Sequence, residues 1–271
     1  MKQILKICAY GTILSLLFQC SCATANKDSA IVPAKDLPTE LAINDGAGHG
    51  DWLFISLRLE EGEALPFIVD TGASGTVLDK SLEPELGKCL GVEQRKGWTS
   101  KGRANVYVAP KLYLGDTQLM TGGKVWTTDL NHPSGILGMD CLKHYCIQLD
   151  FSRREMRFLT PDQVTTTALG KAYPLTLHGN LPFVHHAGLI PNSTTNLLID
   201  TGCRPDGVEG RNTINGSEES MPVCVWDGQT YSNVTVHAVE DGNALGLKFL
   251  ARHLVTLDFP NRTLYLKSEK D

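Results

Sequence analysis

The chain has 271 residues, with 25 basic and 30 acidic side chains, a formal net charge of −5 and a sequence pI near 5.9. That balance leaves no cationic surplus to draw in a phosphate backbone, which argues against nucleic acid as a partner. With 42% apolar and 20% charged residues, the sequence can bury a sizeable core, as one large domain or two small ones.

The chain opens with Lys2 and Lys6, an apolar run from Ile7 to Phe18, and small residues at Ala23-Thr24-Ala25. This is the pattern of an export signal over residues 1–25, cut after Ala25, and it predicts a periplasmic or secreted protein. The run is shorter than the roughly 20 residues that span a bilayer. Lipid anchoring at Cys20 or Cys22 is a second reading, and residues 26–38 read as a polar leader. Cleavage would leave Cys89, Cys141, Cys146, Cys203 and Cys224. Cys203 with Cys224 is the expected bridge, and five buried apolar thiols are the alternative.

From Trp52 to Leu59 apolar and polar residues alternate as in a half-buried strand. Phe67-Ile-Val then runs into Asp70-Thr71-Gly72. Residues 93–106 place Gly97, Trp98 and Gly102 among polar neighbours, as in a mobile hairpin tip. Trp98 is the flap candidate, set either to close over a bound peptide or to pack on the surface. Tyr113 to Thr117 reads as a hairpin, Ile136-Leu137-Gly138 as a short apolar strand, and Ile147–Phe151 with Met156–Leu159 as a strand pair.

After a linker around residues 165–172 the pattern begins again. Leu181 to Ile190 takes the place of the first strand, and Leu197-Leu-Ile runs into Asp200-Thr201-Gly202. Val225 to Thr230 is a hairpin, Ala244-Leu245-Gly246 matches 136–138, and Val255–Phe259 with Thr263–Leu266 closes the repeat. The expected architecture is mainly β, with an N-terminal lobe at 40–160 and a C-terminal lobe at 172–268 related by a pseudo-twofold within a monomer. Helical periodicity is confined to Cys141–Tyr145 and Leu247–His253.

An aspartate straight after three apolar residues sits at the buried end of a strand, where a lone charge is costly. Two such carboxylates meeting between lobes would share one proton and titrate as a pair, which suits water activation for peptide hydrolysis without metal or cofactor. Thr71 and Thr201 offer hydroxyls to lock the loops together, and Gly72 and Gly202 allow close backbone approach.

Phe67-Ile-Val-Asp-Thr-Gly-Ala-Ser-Gly-Thr-Val-Leu-Asp79 resembles the first active-site loop of pepsin-like and retropepsin-like aspartic peptidases, the small bacterial ones in particular. The resemblance covers most of residues 50–266. It implies a bilobal acid-protease fold, a cleft for a protein or peptide substrate with a flap above it, catalytic Asp70 and Asp200, and a Ser74 hydroxyl bonded to the outer oxygen of Asp70. Aspartic proteases are themselves the established example of two carboxylates sharing one proton. The second loop departs from the pattern. Arg204 replaces the hydroxyl residue, either as a cation beside Asp200 or turned outward to Asp206 or Glu209. Only 46 residues separate Asp200 from Gly246, against 68 from Asp70 to Gly138, so the second lobe is expected to lack a flap. A catalytically silent peptide-binding module and a homodimer of first lobes are the alternatives to an endopeptidase. His185-His186 has no further ligands at metal-site spacing, and Ser74 lacks the Gly-x-Ser-x-Gly frame of a serine nucleophile.

Overall fold

Alternation at period two is realised as strands through nearly the whole chain. The computed structural model describes residues 34–60, 62–96, 101–164, 169–187, 195–210 and 218–268. The expected signal and most of the leader, the core of the linker, and the tip of the 93–106 hairpin with Trp98 lie outside the described residues. The first half contains β1 (Leu41–Ala42), β2 (Phe54–Leu59), β3 (Leu65–Val69), β4 (Val77–Asp79), β5 (Gly91–Lys96) and β6 (Lys101–Val108). It continues with β7 (Leu112–Leu114), β8 (Thr117–Gln118), β9 (Lys124–Thr128), β10 (Gly135–Leu137), helix α1 (Met139–Leu142), β11 (Cys146–Asp150) and β12 (Glu155–Leu159). The second half contains β13 (Lys171–His178), β14 (Leu181–Ala187), β15 (Thr195–Asp200), β16 (Gly207–Gly210), β17 (Glu218–Trp226) and β18 (Gln229–Val239). It ends with β19 (Ala244–Gly246), helix α2 (Leu247–Leu250), β20 (His253–Asp258) and β21 (Thr263–Ser268).

The fold is mainly β and bilobal, and the repeat is visible in its topology. In the first lobe β3 lies between antiparallel β2 and parallel β10, with Leu137 opposite Val69. In the second, β15 lies between antiparallel β14 and parallel β19, with Gly246 opposite Asp200. Along β2 the alternation is literal: Ile55, Leu57 and Leu59 are buried while Ser56 is exposed, so one face of the strand enters the core. Both helices are single turns that follow Gly138 and Gly246, and both end before the spans expected from periodicity do. Tyr145 is instead a buried core ring, edge-on to Phe158 at 5.3 Å, and His253 begins β20.

The terminal strand pairs of the two halves join each other. β11 pairs antiparallel with β20, and the ladder runs β1-β12-β11-β20-β21-β13. Gln148 faces Thr256, its repeat equivalent, and donates a hydrogen bond to that hydroxyl at 3.0 Å, which places the pseudo-twofold between them. β13 pairs through Lys171–Pro174 with β21 and through Leu175–His178 with β14. It thereby continues the shared sheet into the second lobe. One hydrophobic cluster includes Phe67, Tyr145 and Phe158 of the first half and Leu245, Phe249 and Phe259 of the second.

The short second lobe has a structural cause. β17 and β18 are a single long hairpin closed by Asp227 and Gly228, at φ 51° and 79°, the left-handed pair that a two-residue hairpin turn requires. The same task in the first lobe takes β6, β7, β8 and β9. Among the described residues β5 has no counterpart, and β17 stands at the end of its sheet. The cysteines correct the expected bridge: all five described thiols are free. Cys203 packs with Leu198, Val208 and Val239, whereas Cys224 belongs to the main core, so the two side chains serve different clusters. Cys89 is exposed, the other four buried.

Candidate active site

Asp70 and Asp200 lie at the ends of the two central strands, and the residues after them turn back toward the opposite lobe. Thr71 N donates to Thr201 Oγ1 and Thr201 N to Thr71 Oγ1, both at 3.0 Å. Each hydroxyl also donates across the interface at 2.7 Å, Thr71 to the Ile199 carbonyl and Thr201 to that of Val69. Both threonines are fully buried. A reciprocal set of buried, satisfied bonds of this kind is directional and costly to break, so it holds the loops in one relative position.

That lock brings the carboxylates together. A Cβ on Gly72 would stand 2.4 Å from Asp200 Cγ, and one on Gly202 would stand 2.4 Å from Asp70 Cγ. Each acid therefore occupies the space that a side chain on the opposite loop would fill, which explains both glycines by close approach. Asp70 Oδ1 accepts from Gly72 N at 2.7 Å and Ala73 N at 3.0 Å, and Asp200 Oδ1 accepts from Gly202 N at 2.9 Å. Burial first, and then the charge of Asp200, push the Asp70 carboxyl well above the ordinary carboxylate range, against the two backbone bonds.

The apolar-apolar-Gly runs thread behind the loops, and space again selects glycine. A Cβ on Gly138 would lie 2.5 Å from the Gly75 carbonyl carbon, and one on Gly246 would lie 2.1 Å from the Pro205 oxygen. Met139 N donates to Ala73 O and Leu247 N to Cys203 O, at 2.8 and 2.6 Å, so the first amide of each helical turn ties down the loop before it.

The position after each Asp-Thr-Gly departs from expectation. Ser74 faces the cleft, but its described bond is through its carbonyl, which accepts from Asn180 Nδ2 at 3.4 Å. The expected hydroxyl bond to Asp70 is not among the described bonds, and the amides of Gly72 and Ala73 already occupy Oδ1. Arg204 takes neither expected role. Its guanidinium lies 5.3 Å over the Trp52 ring, while Asp206 is bound by Arg252 at 2.8 Å and by Thr235 N at 2.8 Å. The segments leading into β14 and β2 thus touch the other lobe's loop at the same repeat position, Asn180 on Ser74 and Trp52 on Arg204.

The carboxylates open into a cleft of ≈ 580 Å³. One wall is the end of β5 next to the hairpin turn, through Gln94, Arg95 and Lys96. The opposite wall is Leu181, Phe183 and Leu198, rimmed by residues 240–243. Trp126 on β9 anchors the hairpin: its indole N–H donates to Glu93 at 2.8 Å, Arg95 lies over its ring at 4.2 Å, and Lys124 reaches Glu93 at 2.8 Å. Those two donors, Lys124 first, hold the Glu93 carboxyl below its ordinary value. Trp126 also touches the first loop, since a Cβ on Gly75 would meet its ring at 2.4 Å. No motif marked Trp126, nor Asp140, which accepts from the Thr76 hydroxyl at 2.8 Å and from Gly122 N at 3.1 Å. Their role depends on cross-strand neighbours, and only the pairing of Val77 with Trp126 reveals the contact with the loop.

Among the described residues no group of His, Cys, Asp and Glu is arranged to hold a metal ion. His185 bonds Asn196 through Nδ1 at 2.7 Å and Thr176 through Nε2, so both ring nitrogens have polar neighbours. Residues 55–141 match the model of a family described as aspartyl protease. The match runs from β2 through the first loop and the hairpin to α1. No curated protein matches the chain.

Proposed function

Since residues 55–141 match the aspartyl protease family, we propose that the chain is an endopeptidase in which Asp70 and Asp200 activate a water between them. The observation that carries this reading is the reciprocal Thr71–Thr201 lock, which packs each carboxylate against the other loop's glycine. Two acids so close share one proton. The ionised carboxylate takes a proton from the water as its oxygen attacks the scissile carbonyl carbon, and the protonated carboxyl donates to the carbonyl oxygen. Collapse of the resulting tetrahedral diol breaks the C–N bond, with a proton passing from the dyad to the leaving amine. Burial and the charge of the facing carboxylate favour one proton held by the pair before substrate arrives. The substrate is a peptide segment laid along the cleft beneath the hairpin, and the catalytic unit is one chain with two lobes.

The test is digestion of a mixed peptide library from pH 3 to 8 by the chain from Asn26 onward, beside Asp70→Asn and Asp200→Asn. Loss of cleavage by roughly 10³-fold in both variants, with unchanged circular dichroism, is expected for residues acting as one unit. Full activity in either variant would refute the dyad. The silent peptide-binding reading draws on the short second lobe alone, since Arg204 stacks on Trp52; binding without cleavage in the wild type would favour it. We also propose that residues 1–25 direct export. The mass of the cell-derived protein tests this: removal of 25 residues is expected, a lipidated Cys22 would move the cut while keeping export, and a retained Met1 would overturn it.

A further inference from the structure

The two walls of the cleft differ because the lobes differ. In the first lobe Val77 and Trp126 form an apolar cluster with Ala104 and Val106 of the β5–β6 hairpin, and Arg95 of β5 is laid over Trp126. The corresponding cluster in the second lobe, Leu198 with Val208 and Val239, has Leu181 and Phe183 packed on it, and among the described residues no strand lies beyond β17. Half-buried Leu181 and Phe183 form an apolar wall of the cleft with Leu198 buried behind them, two residues before Asp200. The adjoining rim carries two exposed carboxylates, Glu240 and Asp241, with no ion-pair partner among the described residues. The rim is fixed. Asn243 accepts from Gly210 N through its side chain, donates to Thr195, and its carbonyl accepts from Leu198 N at 3.0 Å.

We propose that this wall is a specificity subsite for a lysine or arginine flanking the scissile bond. The methylene stem lies along Leu181, Phe183 and Leu198, and the cation meets Glu240 and Asp241. An apolar trough ending in paired acids fits a side chain that is greasy along its length and charged at its tip. The cations on the opposite wall do not occupy this position: Arg95 is held over Trp126, and Lys96 stands on the hairpin. They disfavour a second basic residue on their own side.

This inference rests on the peptidase reading, and its test separates the two. Library cut sites are expected to show Lys or Arg at one fixed position beside the cut. In matched peptides kcat/KM is expected to favour Lys over norleucine there by about five-fold, a modest ratio because the ion pairs face solvent. The ratio falls toward one in E240Q/D241N, and E240K/D241K comes to favour Glu over Lys. Equal cleavage of the Lys and norleucine peptides, or a ratio unchanged in E240Q/D241N, would overturn the subsite. If the wild type cleaves nothing, the peptidase reading falls. The same Lys-to-norleucine ratio, measured as binding of fluorescent peptides to the intact wild type, then decides the subsite: a ratio of one rejects it and a salt-sensitive preference supports it.

Discussion

Thr71 supplies the Ile199 carbonyl with a proton and gives the Thr201 amide an acceptor, so its removal strands two buried polar groups at once. Thr71→Ala is expected to cost about 3 kcal/mol, the scale of unsatisfied buried groups, and Thr71→Ser about 1 kcal/mol or less; urea midpoints distinguish them. The raised Asp70 carboxyl has the opposite sign from an ordinary surface acid. Its protonated form is the one the fold favours, so its contribution to stability is complete below the unfolded carboxylate value and is lost as pH rises through the folded one. Wild type is therefore expected to lose stability from about pH 4 upward relative to Asp70→Asn. Melting temperatures from pH 3 to 8 should show the variant gaining on the wild type toward neutrality and the two converging in acid. Both aspartates and both threonines were legible in the chain as repeated motifs. Trp126 and Asp140 were not, since neither lies in a motif and each gains its role from a strand distant in sequence.

Among the elements, the β5–β6 hairpin is fastened along β5 by Glu93 and Arg95, which meet Lys124 and Trp126 of β9. Trp126→Phe removes the indole donor while keeping an aromatic face. Faster amide hydrogen exchange is expected across residues 91–108 at neutral pH, with a raised KM for peptides. Unaltered exchange would show that strand pairing alone holds the hairpin. The second lobe has a different fastening. Asp206 is wholly buried and bound by Arg252, so Arg252→Ala leaves a buried charge uncompensated and is expected to destabilise the protein by about 3 kcal/mol. Hairpin positions were readable from alternation and turn residues. Their lengths were not: Gly115-Asp116 and Asp227-Gly228 look alike as turn signals, yet one closes a two-residue strand and the other an eleven-residue one.

At the scale of the molecule, the shared sheet and the common core couple the lobes. β11 and β20 each complete the other's ladder, so a lobe unfolding by itself would expose a sheet edge and core surface. A single unfolding transition is expected, with coincident urea midpoints for Trp226 in a Trp52→Phe/Trp98→Phe/Trp126→Phe variant and for Trp126 in a Trp52→Phe/Trp98→Phe/Trp226→Phe variant once their own stability shifts are subtracted. Separate transitions would mean that the lobes are independent. Strand content, the twofold repeat, the two aspartates and the two threonines of the interlobe lock were all readable along the chain, because period-two burial and a motif written twice are local properties. That Arg204 stacks on Trp52, that Asp206 pairs with Arg252, that Cys203 and Cys224 stand apart, and that Trp126 anchors the hairpin emerged only in the folded molecule. Those outcomes depend on which surfaces meet after the sheets twist and close, and side chains distant in sequence compete for the same partners only then.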